Sequence, residues 1–501
     1  MEGQSSGLTE RIVIRPTGEI ALKAARARRR FQETLRGNIA DALRARGIAC
    51  ELRMSGARIV LSTDSGEAAC SILSKIFGIS SYSTIEATTD CDLDAIVARG
   101  ETVFADAVRH RSFAVRAKRS GHGKDKMGFT STDVAERLGA ALNRFGRVDL
   151  DSPEVAVEVE VDLAQAFMYS TRMPGPGGLP LGVQGRALTL LSGGFDSAVA
   201  AWQLMKRGVA TDFALCNLGG GAYERLVLQV AKMLAELWAH GQRPRLFVVD
   251  FGAVVEELRE KARETYLQIL LKRQMYGVAE RIAVAEGLEV IATGESIGQV
   301  SSQTLKNLAS IDGTVKLPII RPLITYDKRE IVAEAERIGT APLSARVREY
   351  CALTDARPVT ATSAERVAEE AKKLDPAILD TAAAGRRVFD LKKLDASDLR
   401  TPYLFAEEIS DDTVLVDCQP RHMFEAWHAP NAVHLNPASF SDGLRNLDKG
   451  KPYVLYCTYG TQAPYFVEIM QQAGYEAYAF RGGLSAVKKA CEAAHGGSSP
   501  I

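Results

Sequence analysis

The sequence predicts a multidomain protein of α+β and α/β units, and three observations carry that prediction. At 501 residues the chain far exceeds a single domain of about 150 residues. Its first 180 residues mix strand-like and helical stretches in the manner of small α+β units. Residues 186 to about 345 alternate short apolar runs with amphipathic segments, the signature of a parallel sheet with crossover helices. Hydrophobic residues at 46% and charged residues at 25% fit a globular chain that folds throughout. The start MEGQSSGLTERIVIRP lacks the basic-then-apolar pattern of a signal peptide, and no apolar run reaches about 18 residues. A cytoplasmic protein with no membrane association is therefore expected.

Taken in order, RIVIRP reads as a strand, IALKAARARRRFQETLRGNIADALRARG as one long helix, and ARIVLST and SSYSTIEATT as further strands. These make a first α+β domain over residues 1–90. A second α+β unit follows over residues 91–175, where LDAIVARGETVFADAVRH and STDVAERLGAALNRFG are helical, SFAVRAKRS is a strand, and VAVEVEVDL pairs with AFMYSTRM. PGPGGLPLGVQG, dense in Gly and Pro, reads as a short linker. The parallel-sheet domain occupies 176–352, with ALTLL, VATDFALCNL, RLFVVDF and LEVIATGES as strands. Residues 353–402, polar and helical around AERVAEEAKKL, read as a connecting segment. TVLVDC, NAVHL, PYVLYC and YEAYAF are short buried strands of a small α/β domain over 403–501.

The formal net charge is zero, yet residues 1–130 hold 21 Lys+Arg against 15 Asp+Glu, while residues 401–500 hold 7 against 11. A basic front suits a polyanionic partner and suits a solvated face about equally. The eight cysteines form no C-x-x-C pair and the seven histidines no metal spacing, so no zinc site, disulfide framework or permanently bound metal is expected.

Leu188, Leu190 and Leu191 lead into Ser192-Gly193-Gly194-Phe195-Asp196-Ser197, and an apolar helical pattern then runs to Met205 before Gly208. This is a strand, a tight turn and a helix N-terminus, where glycines allow close backbone approach and free amides attract phosphate. No Gly-Lys-Ser/Thr follows, which excludes a Walker loop. An ordinary capped βα turn would account for two glycines alone; the S-G-G-x-D-S string is more specific.

That string resembles the PP-loop of ATP pyrophosphatases, which adenylate a carbonyl oxygen and release pyrophosphate. GGLPLGVQG, CNLGGGAYE, LLKRQMYGVAERIA, ATGESIGQVSSQTLKNL, IIRPLITYDKREIV and EYC are similar to the tRNA 4-thiouridine synthetases (tRNA sulfurtransferases), and IRPTGEIALK and SFAVRAKRSG to their ferredoxin-like and THUMP regions. The resemblance runs nearly end to end; Ala198, where many relatives carry proline, is a departure of little weight. It implies a ferredoxin-like domain, a THUMP RNA-binding domain, a PP-loop adenylation domain and a rhodanese-like domain. It also implies that Leu190, Leu191, Lys272, Gly294 and Gln303 contact ATP, with Ser192, Gly193, Gly194, Asp196 and Ser197 around its phosphates. A carboxylate at Asp196 can help hold Mg²⁺ against pyrophosphate, and Lys328, within YDKREI, can offset charge on the leaving group.

PYVLYC ends an apolar strand at Cys457 and the following turn opens a helix, a setting whose amides stabilise a thiolate or persulfide. Cys457-Thr458-Tyr459-Gly460-Thr461-Gln462 resembles the active loop of single-domain rhodaneses, and Asp417, His428, Pro430 and Ala432 resemble their D…GHIPGA stretch. Gln419, Trp427 and Gln462 depart from it; Gln462 stands where an Arg is usual, which disfavours thiosulfate and favours a persulfide handed over by a protein. Cys351, in REYCALTDARP, matches the family's second cysteine, so the resemblance implies a transient Cys351–Cys457 disulfide. Sulfur would pass either by direct persulfide attack or as bisulfide released by Cys351.

Arg26, Arg28, Arg29 and Arg30 cluster in one helical stretch, and Arg116, Lys118, Arg119 and Lys124 follow the SFAV strand. Basic clusters without base-reading aromatics suit phosphate and shape recognition of structured RNA, or a solvated face. By resemblance the partner is tRNA, the target is uridine 8, a cysteine desulfurase supplies sulfur, and the carrier protein of thiazole (thiamine) synthesis is a second acceptor. The resemblance also implies a homodimer, to which no residue here points by itself. The competing readings are a PP-loop amide ligase, against which the Cys457 loop argues, and an RNA-binding, sulfur-sensing protein without turnover.

Overall fold

The computed structural model describes residues 8–119, 128–162, 165–347, 358–395, 404–406, 409–410, 412–458, 462–481 and 483–495. It divides into two compact units: Met1–Arg186 with Trp202–Thr211 and Ala235–Arg243, and Ala187–Ala201 with Asp212–Leu234 and Pro244–Ile501. No described helix is long and apolar enough to cross a membrane.

The first unit carries two five-stranded sheets. One is antiparallel, in the order Met173–Pro174, Ile79–Thr84, Glu10–Pro16, Arg58–Thr63, Cys50–Ser55. Helix Ala25–Arg44 packs on it through Phe31, Leu35 and Ile39, spaced four apart on one face. The long helix expected from IALK onward is two, Gly18–Ala21 and Ala25–Arg44. Between them Leu22 is 88% exposed, so no apolar stripe continues across the break. SSYSTIEATT likewise divides: Ile79–Thr84 stays in the first sheet, and Ala87–Asp90 pairs with Gln165–Tyr169 in the second. PGPGGLPLGVQG is no free linker. Leu179 and Val183 enter the first core, and Asn38 Nδ2 donates to the Leu181 carbonyl at 3.1 Å.

The second sheet runs Ala87–Asp90, Gln165–Tyr169, Val155–Val161, Ser112–Arg119, Arg147–Val148. Helices Leu93–Val108 and Ser131–Leu142 cover it with Ile96, Phe104 and Leu138. A reciprocal capping box, Thr130 with Asp133, starts the second of these helices. Glu160 of this sheet accepts from Arg15 Nε of the first sheet at 2.8 Å and from the Tyr169 hydroxyl at 2.8 Å.

The second unit holds a six-stranded sheet in the order Ile319–Ile320, Val290–Ala292, Arg186–Leu190, Ala210–Asn217, Arg245–Asp250, Arg387–Asp390. Val290–Ala292 pairs in parallel with both of its neighbours and Ala210–Asn217 in parallel with Arg245–Asp250, whereas the last strand is antiparallel. That last strand corrects the expected connector: Arg387–Asp390 is an antiparallel edge of this sheet. Helices Ala364–Ala371 and Ala377–Ala384 sink Val367, Leu379 and Ala383 into the core of helix Leu267–Ala285. Helix Ala364–Ala371 looks polar because it buries only one narrow face, with Val367 on it. The C-terminal sheet is parallel, in the order Phe405–Ala406, Ala477–Phe480, Tyr453–Tyr456, Val414–Asp417, Val433–His434.

Candidate functional site

In the six-stranded sheet, Arg186–Leu190 has Val290–Ala292 on one side and Ala210–Asn217 on the other. The crossovers therefore leave in opposite directions, and open α/β sheets bind ligands in the crevice at the carboxyl ends of such strands. A cavity of about 960 Å³ opens there. The loop after the strand turns at Gly193, with φ of +79°, a conformation that suits glycine. Ser197 Oγ then accepts from the Ser192 amide and donates to the Gly194 carbonyl, each at 3.2 Å, which ties the turn to the start of helix Phe195–Lys206. Gly294 follows the neighbouring strand so closely that a Cβ there would lie 2.6 Å from the Asp196 carbonyl carbon.

Leu190, Leu191, Ser192, Asp196 and Ser197 line the cavity, as do Lys272, Gly294, Gln303 and Lys328. Gly193 and Gly194 supply the turn itself. Lys328 is the first residue of helix Lys328–Ile338, whose start is fixed by an Asp327/Glu330 capping box. From there Lys328 Nζ donates to Asp196 Oδ1 at 2.8 Å and Oδ2 at 3.0 Å, and Gln299 Nε2 donates to Oδ2 at 3.1 Å. The Oε1 atoms of Gln299 and Gln303 are buried without a partner among the described residues, so each is an acceptor awaiting a donor. An apolar wall with Leu190, Leu271 and Met275, orphaned acceptors and a glycine turn at a helix start together suit a ligand that is apolar at one end and anionic at the other.

Sequence reasoning assigned nothing to the carboxylate deepest in this site. Glu295 Oε1 accepts from Lys272 Nζ at 2.6 Å, and its Oε2 accepts from Arg321 Nε at 2.8 Å and from Thr293 Oγ1 at 3.0 Å, with the Tyr276 hydroxyl donating as well. Burial pushes this carboxyl up, but the Lys272 and Arg321 charges outweigh it and hold the pKa down at about 2. Burial and the Glu295 charge push the Tyr276 hydroxyl well above its usual range. The available signal was the Glu of ATGES at the end of a buried strand, followed at a distance by the Arg of IIRP.

In the C-terminal sheet, Cys457 follows Tyr453–Tyr456 and is 3% exposed, and its Sγ accepts from the Gln462 amide at 3.3 Å just before helix Ala463–Gln472. The Gln462 residue is exposed. Asp417 is fully buried and accepts from the Gln419 amide at 2.8 Å and from Gln419 Nε2 at 2.9 Å. Gln419 Oε1 in turn accepts from Thr458 Oγ1 at 3.2 Å, so a neutral amide bridges the buried carboxylate and the loop residue after the thiol. His428 stacks on Phe424 at 4.1 Å, and its Nδ1 meets the Phe424 carbonyl at 3.0 Å. Cys351, Lys124 and Tyr459 to Thr461 lie outside the described residues.

Arg26, Arg28, Arg29 and Arg30 are exposed on helix Ala25–Arg44, but three are engaged: Arg28 donates to the Ala21 carbonyl at 3.5 Å, Arg29 pairs with Glu33 at 3.1 Å and Arg30 donates to the Val183 carbonyl at 3.3 Å. Arg116 and Lys118 are exposed on Ser112–Arg119, while Arg119 bonds the Phe129 carbonyl.

Comparison with known proteins adds four family matches: ThiI ferredoxin-like domain at residues 11–83, THUMP domain at 91–171, Thiamine biosynthesis protein (ThiI) at 182–375, and Rhodanese-like domain at 401–490. The chain is 37% identical to a tRNA sulfurtransferase of Desulfurococcus amylolyticus, over 96% of this chain and 98% of the relative. It is 33% identical to one of Aeromonas hydrophila, over 93% and 98%. A solved 4-thiouridine synthetase in complex with RNA and bound ATP is similar with a TM-score of 0.67 at 29% identity, over 76% of this chain and 99% of that one.

Proposed function

We propose, because the chain belongs to the tRNA sulfurtransferase family, that it carries out ATP-dependent sulfur transfer to uridine 8 of tRNA, giving 4-thiouridine. The observation that carries this reading is the cavity at the strand switch point, where the glycine turn, the Asp196–Lys328 pair and the orphaned glutamine acceptors converge. ATP, when bound there, supplies the adenylate that turns uracil O4 into a leaving group. The loop from Ser192 to Ser197 offers amides to its phosphates, and Lys328 offsets charge that grows on them. Asp196, the carboxylate at the loop, is the residue that would hold Mg²⁺ accompanying ATP, an ion that would offset phosphate charge. Lys272, steadied by Glu295, faces the same space.

Cys457 carries the sulfur as a persulfide, its Sγ steadied by the Gln462 amide. Sulfur reaches it from a cysteine desulfurase, and Cys351 closes the cycle as the partner in a Cys351–Cys457 disulfide that a reductant reopens. Exposed Arg26, Arg28, Arg116 and Lys118 grip tRNA phosphates, with Arg29, Arg30, Arg119 and Lys124 completing the basic clusters. Delivery of sulfur to the carrier protein of thiazole synthesis is a second role, supported by the match to a thiamine-biosynthesis family. A cytoplasmic homodimer completes the proposal.

The test is sulfur-35 transfer from cysteine, through a desulfurase, into unmodified tRNA with ATP, Mg²⁺ and reductant. Label that needs both ATP and Cys457 is expected. Label surviving Cys457→Ala without free sulfide would remove Cys457 from the pathway, and label appearing without ATP would remove the adenylation step.

A further inference from the structure

The carboxyl end of the C-terminal sheet holds a second thiol beside the first. Val414–Asp417 and Tyr453–Tyr456 pair in parallel with Asp417 opposite Tyr456, and the Cys418 amide extends the ladder by donating to the Tyr456 carbonyl at 2.9 Å. That register sets Cys418 next to Cys457. Alternate residues of a strand share a face. Val416, Cys418, Leu455 and Cys457 all enter one apolar core, while Leu415, Val454 and Tyr456 belong to the opposite one. Paired strands lie about 4.8 Å apart, within the Cα separation of about 4.4–6.8 Å that a disulfide spans. Both thiols are free, and Cys418 is 0% exposed.

We propose that Cys418 is a resolving thiol for Cys457 within the C-terminal domain. When sulfane sulfur on Cys457 is not passed on, Cys418 Sγ bonds to Cys457 Sγ and the bond to the outer sulfur breaks. The outer sulfur leaves with the bonding pair and takes the Cys418 proton, giving hydrosulfide and a Cys418–Cys457 disulfide. The sulfane sulfur is the oxidant, being reduced to sulfide as the two cysteine sulfurs are oxidised, so no external oxidant is needed. This inference rests on the carrier role of Cys457 and names a product distinct from the Cys351–Cys457 disulfide. Burial, with the Cys457 and Asp417 charges adding to it, pushes the Cys418 thiol well above its ordinary range. Thiolate is therefore scarce and the exchange slow. Transfer to an activated uridine outruns it; a stalled enzyme sheds its sulfur and waits, closed, for a dithiol.

The test uses the full chain carrying Cys351→Ser, in two arms. Treatment with diamide, without any sulfur donor, followed by peptide mapping is expected to give a linked Cys418–Cys457 peptide that Cys418→Ala abolishes; a Cys457 that stays alkylatable, or that links elsewhere, overturns the pair. After loading with sodium polysulfide and desalting, hydrosulfide is expected to appear in step with the linked peptide, and Cys418→Ala to hold its persulfide at least about tenfold longer. Equal release from both chains overturns the resolving step. A Cys457 that takes up no sulfur counts against the carrier role, and the diamide arm still decides the pair.

Discussion

Replacing Glu295 by Gln preserves volume and removes one charge from the floor of the nucleotide cavity. Every neighbour within reach of the carboxylate is there as a donor: Lys272, Arg321, Thr293 and Tyr276. A new amide NH₂ in place of Oε1 would face the Lys272 ammonium, and in place of Oε2 the Arg321 guanidinium, neither of which can accept a hydrogen bond. The carboxyl is held down from 4.5 to about 2 in the folded chain, which at roughly 1.4 kcal/mol per unit is about 3 kcal/mol of stabilisation. Breaking one partner of a buried ion pair costs about 3–5 kcal/mol by comparison. A depressed carboxylate stabilises fully above its unfolded value and loses that contribution as pH falls through its folded value, so the contribution fades between about 4.5 and about 2. The assay is thermal and urea unfolding, following the transition that ATP raises, since ligand linkage marks the domain that holds the site. For a domain of roughly 200 residues the expected drop at neutral pH is about 10 °C, with a flatter acid dependence than the parent chain. A shift below about 2 °C, or an unchanged acid slope, would refute the account of Glu295 as an ionised anchor.

Lys328→Ala is expected to lower tRNA-dependent pyrophosphate release about 100-fold, yet to move the unfolding midpoint little, because Lys328 is half exposed; a melt that falls as far as the activity would make the residue structural. Gln462→Arg restores a cation at the exposed start of the loop helix. Thiosulfate sulfurtransferase activity to cyanide should rise about tenfold, and no gain would mean that the missing cation is not what limits that donor. Lys118→Ala, on an exposed position of Ser112–Arg119, should reduce the salt slope of tRNA binding by about one. An unchanged slope would take Lys118 out of the phosphate contacts.

What the sequence made legible follows from how locally each feature is encoded. The glycine turn could be read because one strand, one left-handed glycine and one helix start are all written within ten residues, Leu188 to Ser197. Lys328 could be placed because Asp327 and Glu330 write their own capping box around it. Glu295 could not, because its ionisation depends on Lys272, Tyr276 and Arg321, which arrive from a helix and a loop far along the chain. Arg387–Asp390 escaped for a related reason: an edge strand needs only one partner, and its partner, Arg245–Asp250, lies more than a hundred residues upstream. Cys418 carried no motif, since its only distinction is a strand register that places Cys457 beside it. The pattern is physical. Backbone geometry at a turn or a cap is fixed by neighbours in sequence, whereas the protonation of a buried carboxylate or the pairing of two thiols is fixed by neighbours in space. The groups that tune this site are therefore those whose residue types looked ordinary until the sheet brought them together.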